Sequence, residues 1–189
     1  MHGGFILVPL VTVVRQVYIF NAVKLLNAVK WGSSVTRLRW NLPESKIRLD
    51  TQLIELGVLK QHEEVDPAHL RELKKEIESD KILKFAIAVD KNTNIILDGE
   101  HRFNALRELG CTKVPVIFLD YGSPYIEVQA WRNGERVTKK DVLEAGLSGK
   151  KLPPKTSEHM IRICNTLRHI SAVERRVNIP LEKLRGNNK

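Results

Sequence analysis

Cysteine is almost missing from this 189-residue chain: there are two, Cys111 and Cys164, far apart in sequence. Neither belongs to a CxxC pair or a metal-spaced cluster, so the sequence suggests no disulfide framework and no structural zinc site, and a reducing, cytoplasmic setting fits. A long apolar run is missing too. The most apolar stretch, "FILVPLVTVV" at Phe5 to Val14, is interrupted by Pro9 and is about half the ~20 residues that a membrane-spanning helix needs. A secretory signal is also not the expected reading, because only Met1, His2 and two glycines precede that stretch and no basic leader does. Internal repeats and low-complexity tracts are lacking. Acidic residues are the scarcer charge, 22 against 31 Lys and Arg for a formal +9. That imbalance favours an anionic partner such as a nucleic acid, a nucleotide or a phosphorylated metabolite, without choosing among them.

With 42% hydrophobic residues, the chain can bury a proper core, and one domain with elaborations is expected in preference to two independent ones. Residues 1–44 read as an N-terminal extension, an apolar strand followed by an amphipathic helix in which Val23, Leu26 and Val29 recur at helical spacing. Core or subunit contact is preferred for it over membrane binding, and a homodimer through this segment is one form such a contact can take. Residues 45–189 read as the main domain.

Within that domain helical and strand patterns alternate. "IRLDTQLIELGVLKQHEEV" starts as a strand and passes into a loop. "DPAHLRELKKEIES" is a helix capped by Asp66 with Pro67 at its first position. "KFAIAVDKNTNIILDG" carries two short β-branched runs around a polar turn at residues 91–94, and the second run delivers Asp98. A helix follows over 101–109 and stops at Gly110. "VPVIFLDY" and "YIEVQAWRNG" are strands, and Thr138 with Asp141 forms a capping-box start for "KKDVLEAGL". "SGKKLPPKTSEH" lacks periodicity and reads as a loop whose Lys, Thr and His are available to a site.

The stretch "LDGEHRFNALRELG" raises the question of function. A strand ending at Asp98, a glycine and a helix starting near Glu100 together aim unpaired N–H groups and a helix dipole at one point, which favours an anion. His101 and Arg102 add positive groups where the dipole opposes them, and a bound phosphate would settle that conflict. Asp98 could then hold a Mg²⁺ that bridges phosphate oxygens. A purely structural alternative stays open: Asp98 caps the helix, and Glu100 and Arg102 pair on a solvated face.

These motifs carry a resemblance. "DGEHRFNALRELG" between strands, preceded by "HEEVDPAHLRELKKEI", resembles the ParB/sulfiredoxin superfamily and implies an α+β fold, a core of mixed sheet and helices with N-terminal and C-terminal elaborations. Sulfiredoxins carry a catalytic cysteine just before the His-Arg pair, where this chain has Glu100. ParB-like segregation proteins have Gly-Glu-Arg-Arg and a downstream helix-turn-helix, and no such helix pair follows Gly134. A third branch, the archaeal free serine kinases, is similar over residues 45–185. The likeness lies in "HE" at His62 and Glu63, "DGEHR" at Asp98 to Arg102, Trp131, "PKTSEH" at Pro154 to His159, and the tail "NIPLEKL". Glu100 departs from the histidine often found in that family.

The resemblance implies transfer of a phosphoryl group from ATP, with ADP as the alternative donor, to the hydroxyl of free L-serine. The product would be O-phospho-L-serine for cysteine biosynthesis. It implies Glu63 as proton acceptor, Asp98 for Mg²⁺ and active-site geometry, and Gly99, Glu100, His101 and Arg102 around the nucleotide phosphates. Trp131, Lys155, Thr156 and His159 would contact the substrate. Partners would be serine and nucleotide, with neither nucleic acid nor membrane. The alternative from another class is a ParB-like nucleotide-dependent DNA-binding protein.

Overall fold

The computed structural model describes residues 47–163 and 165–186, with side chains from Asp50 onward. The strand, helix and dimer contact expected within 1–44 lie outside the described residues.

The fold is α+β, built on a four-stranded mixed sheet. Its strands are β1 (Ile47–Glu55), β3 (Ile87–Asp90), β4 (Ile96–Asp98) and β5 (Lys113–Leu119), in the order β1-β5-β3-β4. Only the β3–β5 pair is parallel. Period-two alternation explains why both faces of this sheet are apolar. Ile87, Val89, Ile96, Val114 and Val116 face one side, with Phe103 and Leu106 of helix α2 (Glu100–Glu108) and Ile77 of α1 (Pro67–Asp80) in the same cluster. Ala88, Ile95, Leu97, Ile117 and Leu119 face the other, with Val142 of α3 (Lys139–Ser148) and Ile161. Ile161 belongs to a second, antiparallel sheet of β6 (Ile126–Ala130), β7 (Ser157–Ile163) and β8 (Thr166–His169). A third pair joins β2 (Ile82–Phe85) to β9 (Arg176–Pro180), and α4 (Leu181–Leu184) follows.

The punctuation follows local chemistry. The Asp66 carboxylate accepts from the N–H groups of Ala68 and His69, with Pro67 at the first position of α1. The turn after β3 closes through Asp90, which accepts from the backbone and hydroxyl of Thr93. Thr138 and Asp141 complete a reciprocal capping box. Gly110 takes φ +74° just past α2, as a helix stop requires.

One expectation is corrected. The stretch from Ser148 to His159 is not all loop: Ser157, Glu158 and His159 open β7 and pair with Ala130, Gln129 and Val128. The Gly and Pro signals mark only the part before Ser157, and the three following residues satisfy their backbone groups in a ladder that the motif did not reveal.

Candidate functional site

Three segments converge on one cleft of about 220 Å³. The first is the turn from β4 into α2. Gly99 has φ +100°, and a Cβ there would lie 3.0 and 3.1 Å from the Arg102 guanidinium and 3.1 Å from Ile87. Only glycine meets both demands. No side chain caps α2, so its first N–H groups are left without a side-chain partner, and Gly99, Glu100 and His101 line the cleft.

The second segment is Lys60–Glu64. Lys60 N–H donates to Asn94 O and Ile96 N–H to Lys60 O, so this strand-like piece extends the free edge of β4. It then turns to pair with the third segment: Leu152 N–H donates to His62 O and Glu64 N–H to Leu152 O. The third segment is 152–157, tied in turn to β6 by a hydrogen bond from Trp131 N–H to Thr156 O.

Two carboxylates fasten the three segments. Buried Glu100 accepts from the N–H groups of His62 (3.0 Å) and Glu63 (3.2 Å) and from Gln61 Nε2 (3.1 Å), and Lys151 Nζ steadies the Gln61 oxygen at 2.9 Å. Glu63 accepts from the N–H groups of Lys155 (2.6 Å), Thr156 (3.2 Å) and Ser157 (2.9 Å) and from Ser157 Oγ (2.8 Å). Such carboxylate bonds to backbone N–H groups are the stronger, charge-assisted kind. His62 sits between them with Nε2 2.9 Å from Ser157 Oγ and Nδ1 2.9 Å from Glu100 Oε1. The latter contact is an ion-pair distance without hydrogen-bond alignment, so buried Nδ1 has no hydrogen-bond partner.

Of the residues singled out from sequence, Glu63, Asp98, Gly99, Glu100, His101, Trp131, Lys155 and His159 line the cleft. Arg102 and Thr156 do not. Arg102 donates to Ala86 O (2.8 Å) and Asp98 (2.7 Å) and pairs with Glu174, so its charge holds Asp98 rather than a phosphate. The Thr156 hydroxyl donates to Pro153 O at 2.7 Å and braces the loop. Glu100 likewise faces the His62 segment and not an anion, because its oxygens are already taken by N–H donors. His159 reaches the cleft wall but is only 3% exposed, and its Nε2 is 2.9 Å from Tyr121 Oη. It is a fixed wall residue, not a loop ligand. Trp131 is 52% exposed at the rim, and the Lys155 ammonium makes no hydrogen bond or ion pair among the described residues.

Electrostatics follow from burial. Desolvation, then the neighbouring His62, push His159 down to about 3, so it is neutral. His101 is lowered by burial and by His69, and its Nε2 accepts from Asp66 N–H at 3.1 Å, which leaves the ring proton on Nδ1. Burial raises Asp98, but a hydrogen bond shared with Glu174 and the charge of Arg102 outweigh it and hold the carboxyl below its usual range. Glu174 moves the opposite way, raised first by burial and then by Asp98. The opposite directions favour the negative charge on Asp98.

Sequence reasoning did not single out His62, Ser157, His69 and His169, which line the cleft, or Glu174, which pairs with Arg102. His62 and Ser157 stand inside the quoted motifs "HE" and "PKTSEH", so the signal was present without a role. His69, His169 and Glu174 reach the site through packing of α1, the end of β8 and the segment after it, for which spacing offers no cue.

The fold is that of solved free serine kinases. The chain superimposes on "free serine kinase in complex with AMP" with a TM-score of 0.59 at 17% identity, covering 77% of this chain and 97% of that one. A C-terminally truncated SbnI from Staphylococcus aureus gives a TM-score of 0.51 at 14% identity, covering 74% and 90%. No protein-family model matches the chain.

Two curated sequence relatives are named ATP-dependent L-serine kinases. An ATP-dependent L-serine kinase of Desulfurococcus mucosus is 34% identical over 120 residues, 60% of this chain and 47% of that protein. Another, from Staphylothermus marinus, is 33% identical over 97 residues, 48% of this chain and 38% of that protein. The chain thus matches less than half the length of these curated relatives. A ParB-like protein of Sulfolobus acidocaldarius is 51% identical over 45 residues, 24% of this chain.

Proposed function

We propose that this protein transfers a phosphoryl group from ATP to the hydroxyl of free L-serine. The observation that carries this reading is the convergence of Glu63, the Asp98–His101 turn and Lys155 on one cleft, in a fold shared with structures solved with AMP and ADP.

Phosphoryl transfer needs alignment, charge neutralisation and a proton acceptor, with little covalent chemistry from the protein. Glu63, a carboxylate of the cleft, is the group we assign to accept the hydroxyl proton. The open N–H groups at the start of α2, with Gly99 allowing close approach, suit nucleotide phosphates. His101, a neutral donor through Nδ1, stands beside them. Lys155 offers a mobile ammonium to the carboxylate or the new phosphate of serine, and Trp131 forms the rim. His159 and Thr156 support the substrate end as wall and brace.

The donor set fits Mg²⁺ in a limited way. Asp98 is an ionised carboxylate whose Oδ2 is engaged by Arg102, and one carboxylate plus phosphates and waters is a usual environment for that ion. When bound, the ion would neutralise phosphate charge. Residues 45–189 would form the catalytic domain, with a homodimer through 1–44 as part of the same proposal. No helix among the described residues is long and apolar enough to cross a membrane, and a reaction consuming ATP and free serine suits the cytoplasm.

The test is direct: incubate purified protein with free serine and either ATP or ADP, then detect O-phosphoserine by mass spectrometry. Formation with ATP supports the reading, and formation with ADP alone changes the donor. The short match to a ParB-like protein favours a second reading, nucleotide hydrolysis stimulated by DNA with serine untouched, which the same assay separates.

A further inference from the structure

Glu63 looks poorly suited to take a proton. Three backbone N–H groups and a hydroxyl already point at its two oxygens, so an arriving proton meets donors on every side. The line of side chains behind it offers a resolution. Glu63 Oε2, Ser157 Oγ, the two nitrogens of His62 and Glu100 Oε1 follow one another at 2.8, 2.9 and 2.9 Å.

Each of these three gaps is filled when it holds one hydrogen. A serine hydroxyl and a neutral imidazole bring two between them, so with both carboxylates ionised one gap is always empty. If Ser157 donates to Glu63 and His62 Nε2–H donates to Ser157, the empty place lies at His62 Nδ1, the buried nitrogen without a hydrogen-bond partner. If His62 instead carries its proton on Nδ1, a rotation of the ring has to bring that N–H into line with Glu100 Oε1, 2.9 Å away, and Ser157 turns to donate to Nε2. The empty place is then between Ser157 Oγ and Glu63 Oε2.

We infer that Ser157 and His62, held by Glu100, switch between these two arrangements and thereby open on Glu63 Oε2 the place that receives the proton of the phospho-acceptor hydroxyl. This rests on the phosphoryl-transfer reading above. In the transfer, the substrate oxygen forms its bond to the γ-phosphorus as the bond to the departing diphosphate breaks. The hydroxyl proton goes to Glu63 and is donated from there to Ser157 Oγ. No other reactant is needed. Among the described residues lining the cleft, Ser157 is the one with an aliphatic hydroxyl, and both it and His62 are positioning residues that act through Glu63.

The experiment compares wild type with Ser157→Ala, Ser157→Thr and His62→Gln for O-phosphoserine formation, nucleotide affinity and thermal unfolding. Ser157→Ala removes the hydroxyl but keeps the backbone N–H bond to Glu63. It should lower kcat by ~10–100-fold, up to the lower limit of the ~10²–10⁴ that a positioned base contributes, as fits a residue acting through that base, with KM for serine and nucleotide affinity little changed. Ser157→Thr restores a hydroxyl and should recover most of kcat. His62→Gln should reproduce the kcat loss even if Ser157→Ala unfolds. A Ser157→Ala enzyme with wild-type kcat overturns the relay while leaving the kinase reading intact. A loss that Ser157→Thr does not rescue, or one accompanied by lost nucleotide affinity, overturns it as well, since that is the behaviour of a merely structural residue. A wild-type chain that phosphorylates no serine removes the kinase reading and the relay together.

Discussion

Glu63 Oε1 and the backbone N–H of Lys155 meet at 2.6 Å across 92 residues of chain. The same carboxylate that is proposed to take the substrate proton therefore also shapes the loop proposed to hold the substrate. Glu63→Gln keeps the size of the side chain but turns one of its two acceptor ends into a donor facing N–H donors. Two effects should appear together: kcat falls by ~10²-fold or more through the lost base, and KM for serine rises as the Lys155–Ser157 segment loosens. Nucleotide affinity, measured by calorimetry, should change little. A Gln enzyme with near wild-type turnover would take Glu63 out of the chemistry.

Gly99→Ala should destabilise the fold by ~1–3 kcal/mol, because a non-glycine residue is strained at positive φ. The added Cβ would also press on Ile87 and on the Arg102 guanidinium that holds Asp98. Urea unfolding followed by circular dichroism measures the loss. An unchanged midpoint would mean that the turn relaxes without cost.

Much of this was legible in the sequence, for identifiable reasons. The Asp66 cap, the Thr138–Asp141 box and the residue 91–94 turn depend on side chains a few positions apart, so their spacing reports them. The convergence of "HE" and "PKTSEH" could be reached only through resemblance, since no local rule brings His62 beside Leu152. Arg102 has partners that its place in the sequence did not suggest, for a physical reason. Basic charge at a helix N-terminus suggests an anion, and one stands inside the protein: Asp98, which Arg102 pairs with together with Glu174, 72 residues away. His159 read as a loop residue because the ladder pairing it with Val128 involves only backbone groups, which leave no mark on composition.

Asp98→Asn should weaken divalent-ion binding, since a neutral amide balances the charge of Mg²⁺ poorly. The readouts are the Mg²⁺ dependence of phosphoserine formation and, independently of activity, Mn²⁺ affinity by electron paramagnetic resonance in the presence of nucleotide. Arg102 keeps Glu174 as a partner, so the variant should still fold. Unchanged Mn²⁺ affinity would leave Asp98 with its structural task of pairing Arg102.

His159 should make the fold acid-sensitive. Its pKa is depressed from 6.5 to about 3 in the folded state, first by burial and then by His62. Between those values the unfolded chain binds the extra proton, so stability present above pH 6.5 is lost as pH falls toward 3. The loss is at most ~1.4 kcal/mol per pH unit in that window. His159→Gln, which can still accept from Tyr121, should flatten the dependence of Tm on pH between 7 and 5. Equal slopes in the two proteins would show that other groups set the acid limb.

Lys155→Ala tests the division of the cleft into a nucleotide end and an amino-acid end. The substitution is clean, because the bond to Glu63 comes from the backbone N–H, which alanine retains. Lys155 lies at φ +58°, a conformation as strained for alanine as for lysine, so the loop should keep its shape. What disappears is an ammonium that makes no hydrogen bond or ion pair with the described residues. Its charge-assisted bond to a carboxylate or phosphate is worth ~1.5–3 kcal/mol. At ~1.4 kcal/mol per decade, kcat/KM for serine should fall ~10–100-fold, with nucleotide affinity nearly constant. Loss of nucleotide affinity with serine KM preserved would invert the assignment, placing the phosphates of the nucleotide against Lys155 and the amino acid against the start of α2.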